Sequence, residues 1–281
     1  MKKYLELIRV KHWVKNILIF IPIICSGLLD LKNAICCIFG FFSFSFITSF
    51  IYIINDIRDI EKDKLHERKK NRPLPSGKIK KSTAIYIAIA MLIMSIISNI
   101  FISKNIINIS LIILLIYTIM NIAYSFGLKN VAIVDIAILT SGFVLRVYYG
   151  ASLIGVEVSN WLFLTILNAS LYLGLGKRRK ELITSKLSRK VLEEYDETFL
   201  HQFQYLSLSL MLVFYSLWSM EQSNQYLVFT IPILIIIFMK YSLIIEKSDE
   251  GDPTTILYQD KSLLWLCGIY GLIMILILAV I

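Results

Sequence analysis

The sequence has few charged residues for its length. Asp, Glu, Lys and Arg make up 17% of its 281 residues, and 57% of the residues are hydrophobic. A typical soluble domain has about 25% charged residues. The apolar residues form continuous runs close to the ~20 residues that an α-helix needs to cross a bilayer. Because these runs are rich in Ile and Leu and do not alternate with polar residues, they favour membrane-spanning helices over strands.

Cysteine and histidine are also scarce. The four cysteines all lie inside apolar runs, without a Cys-x-x-Cys pair or a histidine at metal-ligand spacing, so they are predicted to be core thiols. None of the three histidines (His12, His66 and His201) is assigned a catalytic role. The sequence has no Gly-x-x-x-x-Gly-Lys-Ser/Thr, and its basic runs contain few aromatic residues. Nothing therefore indicates a P-loop, and nucleic-acid binding is disfavoured.

The apolar runs predict an all-α, polytopic membrane protein with a single integral domain over residues 1–281. Nine spans are predicted, at about 14–29, 34–54, 83–103, 106–126, 131–154, 160–176, 203–221, 225–245 and 262–281. Two long polar loops, 55–82 and 177–202, and a shorter one at 246–261 separate some of these spans.

Lysine and arginine are distributed unequally between the two sides of the predicted bundle. With nine spans, the N-terminus and all three polar loops fall on one side and carry almost all the cations, whereas the other side has little more than Lys32 and Lys104. Basic loops stay in the cytoplasm. The N-terminus and the long loops are therefore predicted to be cytoplasmic, the C-terminus external, and the membrane the plasma (inner) membrane, so that chemistry on these loops uses cytosolic substrates.

An acidic cluster follows the second predicted span. If a helix continues through this segment, the i, i+3 and i, i+4 spacings place Asn55, Asp56, Asp59 and Asp63 on one face. Adjacent carboxylates repel one another unless a cation lies between them, and oxygen-rich clusters suit Mg²⁺. A basic run follows, formed by Lys64, His66, Arg68, Lys69, Lys70 and Arg72. Carboxylates for a metal next to cations for phosphates predict a pyrophosphate site.

Further polar residues lie on the same predicted side. Asp135, about one turn into the fifth span, is costly in a membrane unless it is paired or binds metal. Arg146 shares a helix face with it, which fits a polar cavity, although snorkelling to the outer surface is an alternative. The basic run from Lys177 to Lys180, with Glu181 positioned to pair with Lys177, either contacts substrate or anchors the chain to anionic lipid. The acidic stretch 246–253 either binds a second metal or caps the positive region, but a solvated turn is slightly favoured.

These motifs resemble the UbiA-type intramembrane prenyltransferase superfamily, whose members have nine transmembrane helices. The resemblance is closest to the decaprenyl-phosphate phosphoribosyltransferase branch and covers nearly the whole chain. It is carried by Arg9-x-x-x-Trp13-x-Lys15-Asn16, Asn55-Asp56-x-x-Asp59-x-x-x-Asp63, Asn71-Arg72-Pro73-Leu74-x-Ser76-Gly77, Tyr124-Ser125-x-x-Leu128-Lys129 with Asp135, Gly142-Phe143-x-Leu145-Arg146, Gly176-Lys177-Arg178 with Glu181, and Glu250-Gly251-Asp252-Pro253 ahead of Asp260. Many members have a second aspartate pair, Asp-x-x-x-Asp. Here the residue four positions after Asp135 is Leu139 and not aspartate, which suits the phosphoribosyl branch better.

The resemblance implies a UbiA-like bundle with cytoplasmic active-site loops and a Mg²⁺-dependent transfer. The soluble donor would be phosphoribosyl pyrophosphate (PRPP), and a polyprenyl phosphate would be the nucleophile. The implied catalytic residues are Asp56, Asp59, Asp63 and Asp135, and the implied metal ligands are Asp56, Asp59, Asp63 and Asn55. The implied substrate and phosphate contacts are Lys15, Asn16, Asn55, Arg68, Arg72, Tyr124, Lys129, Arg146, Lys177 and Arg178.

The sequence is compatible with two other functions. One is transfer of a prenyl group from a prenyl diphosphate to an aromatic acceptor, and the missing second aspartate pair argues against it. The other is a lipid or ion transporter that uses Asp135 and Arg146 as an intramembrane gate. A transporter predicts polar groups along a path through the membrane, whereas the polar residues here concentrate on one side.

Overall fold

The computed structural model describes residues 2–65, 69–102, 108–184 and 190–279, and the regular structure in these ranges is helical. The α-helices are α1 (Lys2–Leu7), α2 (Ile21–Cys25), α3 (Leu31–Arg58), α4 (Ile60–Lys64), α5 (Lys81–Ile102), α6 (Ile109–Phe126), α7 (Val134–Ile154), α8 (Asn160–Thr184), α9 (Glu197–Glu221), α10 (Thr230–Lys247), α11 (Pro253–Gln259) and α12 (Lys261–Ala279). Short 3₁₀ segments occur at Val10–Phe20, Lys69–Asn71, Leu128–Asn130, Lys190–Glu194 and Gln225–Phe229.

The prediction of an all-helical membrane protein is confirmed, but the count of nine spans is not. By length and composition, seven of the described helices could cross a membrane. The first predicted span, 14–29, is instead largely the 3₁₀ segment Val10–Phe20 followed by the short helix α2. The predicted span 160–176 lies within α8, which is a long helix, but its polar side chains, such as those of Asn168 and Ser170, make it less apolar.

Polar caps fix where several of these helices begin. The side chain of Asp30 accepts a hydrogen bond from the Asn33 backbone N–H (3.0 Å) at the start of α3. Asn108 does the same for Leu111 (2.8 Å) at the start of α6. Such caps satisfy backbone donors that have no partner within the helix. Each capping residue stands just before the helix that contains an apolar run, so the sequence itself sets these boundaries.

A buried aromatic cluster joins α3, α6 and α7 in the bundle interior. The ring of Phe44 packs against Tyr117 at 4.7 Å and against Tyr149 at 5.2 Å between ring centroids. The 3₁₀ segment Val10–Phe20 lies against the same part of α7, where Gly150 contacts the backbone of Ile19. This close approach fixes the segment that carries Lys15 and Asn16 relative to the bundle.

Replacing Gly150 by alanine is expected to destabilise the protein by about 1–3 kcal/mol, because the new Cβ would overlap the carbonyl oxygen of Ile19, which is backbone and cannot rotate away. Thermal unfolding of detergent-solubilised protein, followed by tryptophan fluorescence, measures the loss. Gly268→Ala in α12 is the matched control, since a Cβ there meets no atom within 4 Å. Equal unfolding temperatures for the two variants would contradict the close packing of Val10–Phe20 on α7.

The alternation of the long helices brings the main polar clusters to one end of the bundle. The ends of α3, α6, α8 and α10 meet there, together with the beginnings of α7, α9 and α12. All the sequence-predicted site residues that the structure describes come from these ends or from the adjoining segments, apart from Asn16 and Arg146. We call this end of the bundle the polar face.

Candidate active site

The acidic cluster lies at the end of α3 on the polar face. One helix does not continue unbroken through it, since α3 ends at Arg58 and α4 begins at Ile60. The helical hydrogen bonds nevertheless continue: the Asp59 N–H donates to the Asn55 carbonyl (3.0 Å), and the Asp63 N–H donates to the Asp59 carbonyl (2.8 Å). The four predicted acidic-cluster residues therefore keep their one-turn spacing despite the break.

Arginines neutralise the two buried carboxylates of this cluster. Asp56 and Asp63 are 4% and 3% exposed. The Nη1 atom of Arg72 lies between them, 3.3 Å from Asp56 Oδ1 and 2.8 Å from Asp63 Oδ2, and Arg9 also donates to Asp56. Two carboxylates this close to each other favour a shared cation, because each raises the cost of ionising the other. Arg72, predicted as a phosphate contact, occupies that position here.

Asp59 is the most accessible of the three aspartates. Its side chain is 31% exposed, and its Oδ2 atom lies 3.8 Å from the Nζ atom of Lys129 in the 3₁₀ segment Leu128–Asn130. This ion pair brings the polar residues at the α6–α7 connection next to the acidic cluster. The structure therefore places Lys129, which was predicted to contact phosphate, beside the aspartates.

The residues present fit a divalent cation. Among the described residues, no three His, Cys, Asp or Glu side chains are grouped closely enough to form a ready metal site. One cationic nitrogen, that of Arg72, nevertheless contacts both Asp56 and Asp63, so the two carboxylates already converge on a position of positive charge. Carboxylate oxygens are the ligands that Mg²⁺ prefers. Asp56, Asp59 and Asp63, together with Asn55, are the residues that would hold it.

A second cluster is centred on Asp252 at the start of α11. Its Oδ2 atom lies 2.9 Å from Lys177 Nζ and 3.6 Å from Lys15 Nζ. Burial alone would raise the pKa of this carboxyl, but Lys177 and then Lys15 outweigh it and hold the pKa well below its usual range. The solvated turn favoured for the stretch 246–253 is therefore wrong for Asp252, which is half-buried and holds two predicted phosphate contacts together.

A third cluster surrounds Arg178, whose side chain is fully buried. Its Nε donates to Asp135, its Nη1 donates to Glu181 (2.6 Å) and its Nη2 donates to the Tyr124 hydroxyl (2.8 Å). Burial alone would lower the pKa of the guanidinium, but Glu181, Tyr124 and Asp135 raise it. Arg178 therefore stays charged and joins α6, α7 and α8.

Tyr195 completes the third cluster from outside the predicted motifs. Its hydroxyl donates to Asp135 Oδ1 and accepts the Ile133 backbone N–H, both at 2.6 Å. The backbone of Ile133 adopts a positive φ of 66° just before α7, a strained conformation for a β-branched residue. Tyr195 thus holds the turn that presents Asp135. No spacing or composition in the sequence pointed to this tyrosine.

The basic run at the end of α8 is largely used within the protein. Arg179 Nη2 donates to Glu246 Oε2 (2.8 Å), so Arg178 and Arg179 are both buried against carboxylates. These two cations are therefore not free for lipid headgroups. Two of the four consecutive cations from Lys177 to Lys180 thus cannot anchor the chain to anionic lipid. Glu181, predicted to pair with Lys177, accepts a hydrogen bond from Arg178 one helical turn earlier.

Arg146 and Asn16 form a separate pair in the bundle interior. Arg146 Nε donates to Asn16 Oδ1 (2.7 Å), Nη2 donates to the Tyr117 hydroxyl (3.0 Å), and Nη1 donates to the Gly142 carbonyl. Snorkelling is wrong, because Arg146 is 5% exposed. Asp135 has its own partners, so the two residues do not share one open polar cavity. These contacts suit a residue that joins helices better than one that binds phosphate.

The structure therefore gathers most of the predicted site residues on the polar face, in three groups. Arg72 and Lys129 join the acidic cluster, Lys15 and Lys177 meet at Asp252, and Tyr124, Asp135 and Arg178 form a buried group. Arg68 lies outside the described residues. Gly251 packs closely against the end of α8, because a Cβ at Gly251 would come within 2.9 Å of Lys180 Cβ and 3.3 Å of the Lys177 carbonyl. The glycine next to Asp252 was therefore a sequence feature that could have indicated that Asp252 lies near Lys177.

Comparison with known proteins shows the family to which the chain is similar. The model of the UbiA prenyltransferase family matches residues 18–266. The decaprenyl-phosphate phosphoribosyltransferase of Corynebacterium glutamicum is 30% identical over 273 residues, which cover 92% of this chain and 81% of that protein. The protein of the same name from Mycolicibacterium smegmatis is 29% identical over 281 residues, which cover 92% of this chain and 87% of that protein.

Solved structures share the fold. A UbiA homolog from Archaeoglobus fulgidus bound to GPP and Mg²⁺ superposes with a TM-score of 0.73 at 21% identity, covering 97% of this chain and 99% of that chain. A structure of a UbiA homolog from the same organism bound to Cd²⁺ gives a TM-score of 0.72 at 18% identity, covering 99% of this chain and 100% of that chain. Divalent metal ions are therefore bound by proteins of this fold.

Proposed function

The chain belongs to the UbiA prenyltransferase family, and we propose that it transfers a 5-phosphoribosyl group from PRPP to a polyprenyl phosphate in a Mg²⁺-dependent reaction that releases pyrophosphate. The observation that carries this proposal is that the polar face holds two clusters of opposite charge. One presents carboxylates around a cation, and the other presents two lysines around one carboxylate. The named relatives from Corynebacterium and Mycolicibacterium support the choice of donor and acceptor.

The acidic cluster would bind the pyrophosphate end of the donor. A divalent cation bound by Asp56, Asp59 and Asp63 would neutralise the charge that develops on the departing pyrophosphate. Arg9 and Arg72 already lie against Asp56, so they can contact pyrophosphate oxygens at the edge of the same site. Guanidinium groups suit this contact because their planar donors match phosphate geometry.

The lysine cluster would bind the phosphate of the lipid. Lys15 and Lys177 share one carboxylate, that of Asp252, and therefore carry a net positive charge between them. An incoming phosphate would add the negative charge that this group lacks. Its oxygen would attack the ribose C1 atom as the bond from C1 to the pyrophosphate oxygen breaks. Because the lipid phosphate is already ionised, the reaction needs no strong general base.

The remaining charged groups would position these two clusters. Lys129 would hold Asp59 and contact phosphate when the aspartate binds the metal. Arg178 and Asp135 would fix the ends of α7 and α8, and Arg146 with Asn16 would fix the 3₁₀ segment that carries Lys15. We also propose that the polar face is cytoplasmic, in the plasma membrane, as the excess of lysine and arginine on that face suggests.

The proposal is tested by following label from two donors. Purified protein with Mg²⁺ and a polyprenyl phosphate is given PRPP labelled in its ribose, or a labelled prenyl diphosphate with an aromatic acceptor. We expect label from PRPP to enter the lipid fraction and a chelator to stop the transfer. Label that moves only from the prenyl diphosphate would overturn the phosphoribosyl assignment in favour of prenyl transfer.

A further inference from the structure

His12 lies beside the acidic cluster, although no sequence motif assigns it a role. It follows Arg9 at the start of the 3₁₀ segment Val10–Phe20, and its ring packs on Tyr52 at 5.6 Å between centroids. The guanidinium of Arg9 lies 4.5 Å from the centroid of the same tyrosine ring. Tyr52 is one helical turn before Asp56 on α3, so these contacts hold the imidazole next to the carboxylates.

The charged groups around His12 belong to both substrate clusters. Those that act on it are Lys15, Asp252, Arg9 and Lys177. Arg9 pairs with Asp56 in the acidic cluster, whereas the two lysines pair with Asp252. His12 therefore lies where the donor pyrophosphate and the lipid phosphate would approach each other, which is also where the sugar between them has to lie.

The Nδ1 atom of His12 is buried and has no hydrogen-bond partner among the described residues. A buried polar atom without a partner is costly and calls for an explanation such as a ligand. Burial, followed by the charge of Lys15, lowers the pKa of His12 to about 4. The ring is therefore neutral at pH 7, with one nitrogen that donates and one that accepts.

A neutral imidazole among three cations matches an uncharged partner better than a phosphate. Lys15, Arg9 and Lys177 already supply positive charge for the phosphates, and a neutral imidazole would not strengthen that attraction. A hydroxyl group both donates and accepts a hydrogen bond, as the imidazole does. The ring hydroxyls are the uncharged polar groups of a phosphoribosyl donor, and they lie between its phosphate groups.

We propose that His12 is a donor-binding residue that hydrogen-bonds a ribose hydroxyl and thereby selects a sugar donor over a prenyl diphosphate. This inference rests on the proposed phosphoribosyl transfer. A prenyl chain has no hydroxyl, so a prenyl donor would leave the imidazole unpaired. Sites built to bind a substrate hydroxyl discriminate strongly against analogues that lack it.

The test compares His12→Ala and His12→Gln on PRPP and on its analogues that lack either the 2- or the 3-hydroxyl group. For His12→Ala we expect kcat/KM with PRPP to fall by about tenfold to a hundredfold. With the deoxy analogue that lacks the contacted hydroxyl, the wild-type protein should already show this loss and the variant should lose nothing further. Glutamine also donates and accepts, so His12→Gln should retain activity within a few-fold of the wild type.

His201→Ala is the matched control, because this histidine lies on the exposed side of α9 and packs on Tyr205. It should leave kcat/KM unchanged. Equal losses by His12→Ala on PRPP and on both deoxy donors, or no loss at all, would overturn the role of His12 while leaving phosphoribosyl transfer intact. A wild-type protein that does not turn over PRPP would instead refute the proposed function, and this inference with it.

Discussion

Replacing Asp59 by asparagine is expected to lower the turnover number of the purified protein by about a hundredfold to a thousandfold, the loss typical of removing one electrostatic contact to a developing charge. The variant exchanges a charged ligand for a neutral one of the same shape. Asp59 is also the most accessible of the three aspartates, so this change is the least damaging to the fold. The measurement is kcat across a Mg²⁺ titration, in which the half-saturating Mg²⁺ concentration should rise.

Glu61→Gln provides the matched control for Asp59→Asn. Glu61 follows Asp59 by two residues, its side chain is 83% exposed, and it pairs with Lys64 on the surface of α4. Removing this charge should leave both kcat and the Mg²⁺ dependence unchanged, because an exposed ion pair contributes little. Wild-type turnover in folded Asp59→Asn protein would remove Asp59 from the proposed metal ligands.

The polar face holds two clusters of opposite charge, and internal ion pairs neutralise part of the charge in each. In the acidic cluster Arg72 occupies the position between Asp56 and Asp63, and in the lysine cluster Asp252 occupies the position between Lys15 and Lys177. Each cluster thus contains internal charge of the sign that its ligand would bring, from Arg72 and Arg9 in the acidic cluster and from Asp252 in the lysine cluster. Such pairing limits the cost of holding like charges together before substrates bind.

The features that the sequence predicted correctly are local in the chain. The long apolar runs determined most of the helices, since a run near 20 residues has few other stable conformations in a membrane. The acidic spacing from Asn55 to Asp63 placed the cluster at the end of α3. By contrast, composition cannot distinguish a 3₁₀ segment from an α-helix, so residues 14–20 of the 3₁₀ segment Val10–Phe20 were predicted as part of an ordinary span.

The pairing of the charges could not be predicted, because it joins residues far apart in the chain. Lys15 and Asp252 are brought together by folding, and no periodicity relates two such positions. The same holds for Asp135, for which the sequence offered either metal binding or a partner, without saying that the partner is Arg178 on α8. A basic run also looks the same in the sequence whether its cations contact lipid or lie buried against carboxylates, as Arg179 does.

Replacing Arg178 by methionine is expected to cost about 3–5 kcal/mol, because it leaves the carboxylate of Asp135 buried without its cation. Both side chains are fully buried, so water cannot replace the lost partner. Tyr195 keeps one hydrogen bond to Asp135 but supplies no charge. Thermal unfolding in detergent should show a fall of roughly ten degrees. The double variant with Asp135→Asn should recover part of this loss, since it removes the unpaired charge.

Lys180→Met is the control for Arg178→Met, because it removes a cation from the same basic run. The Nζ atom of Lys180 donates to the Glu246 carbonyl at 3.2 Å in an exposed hydrogen bond, so its loss should change the unfolding temperature little. Unchanged stability of Arg178→Met together with a large rise in KM for either substrate would contradict the structural role. Arg178 would then be assigned to the phosphate contacts that its place in the basic run first indicated.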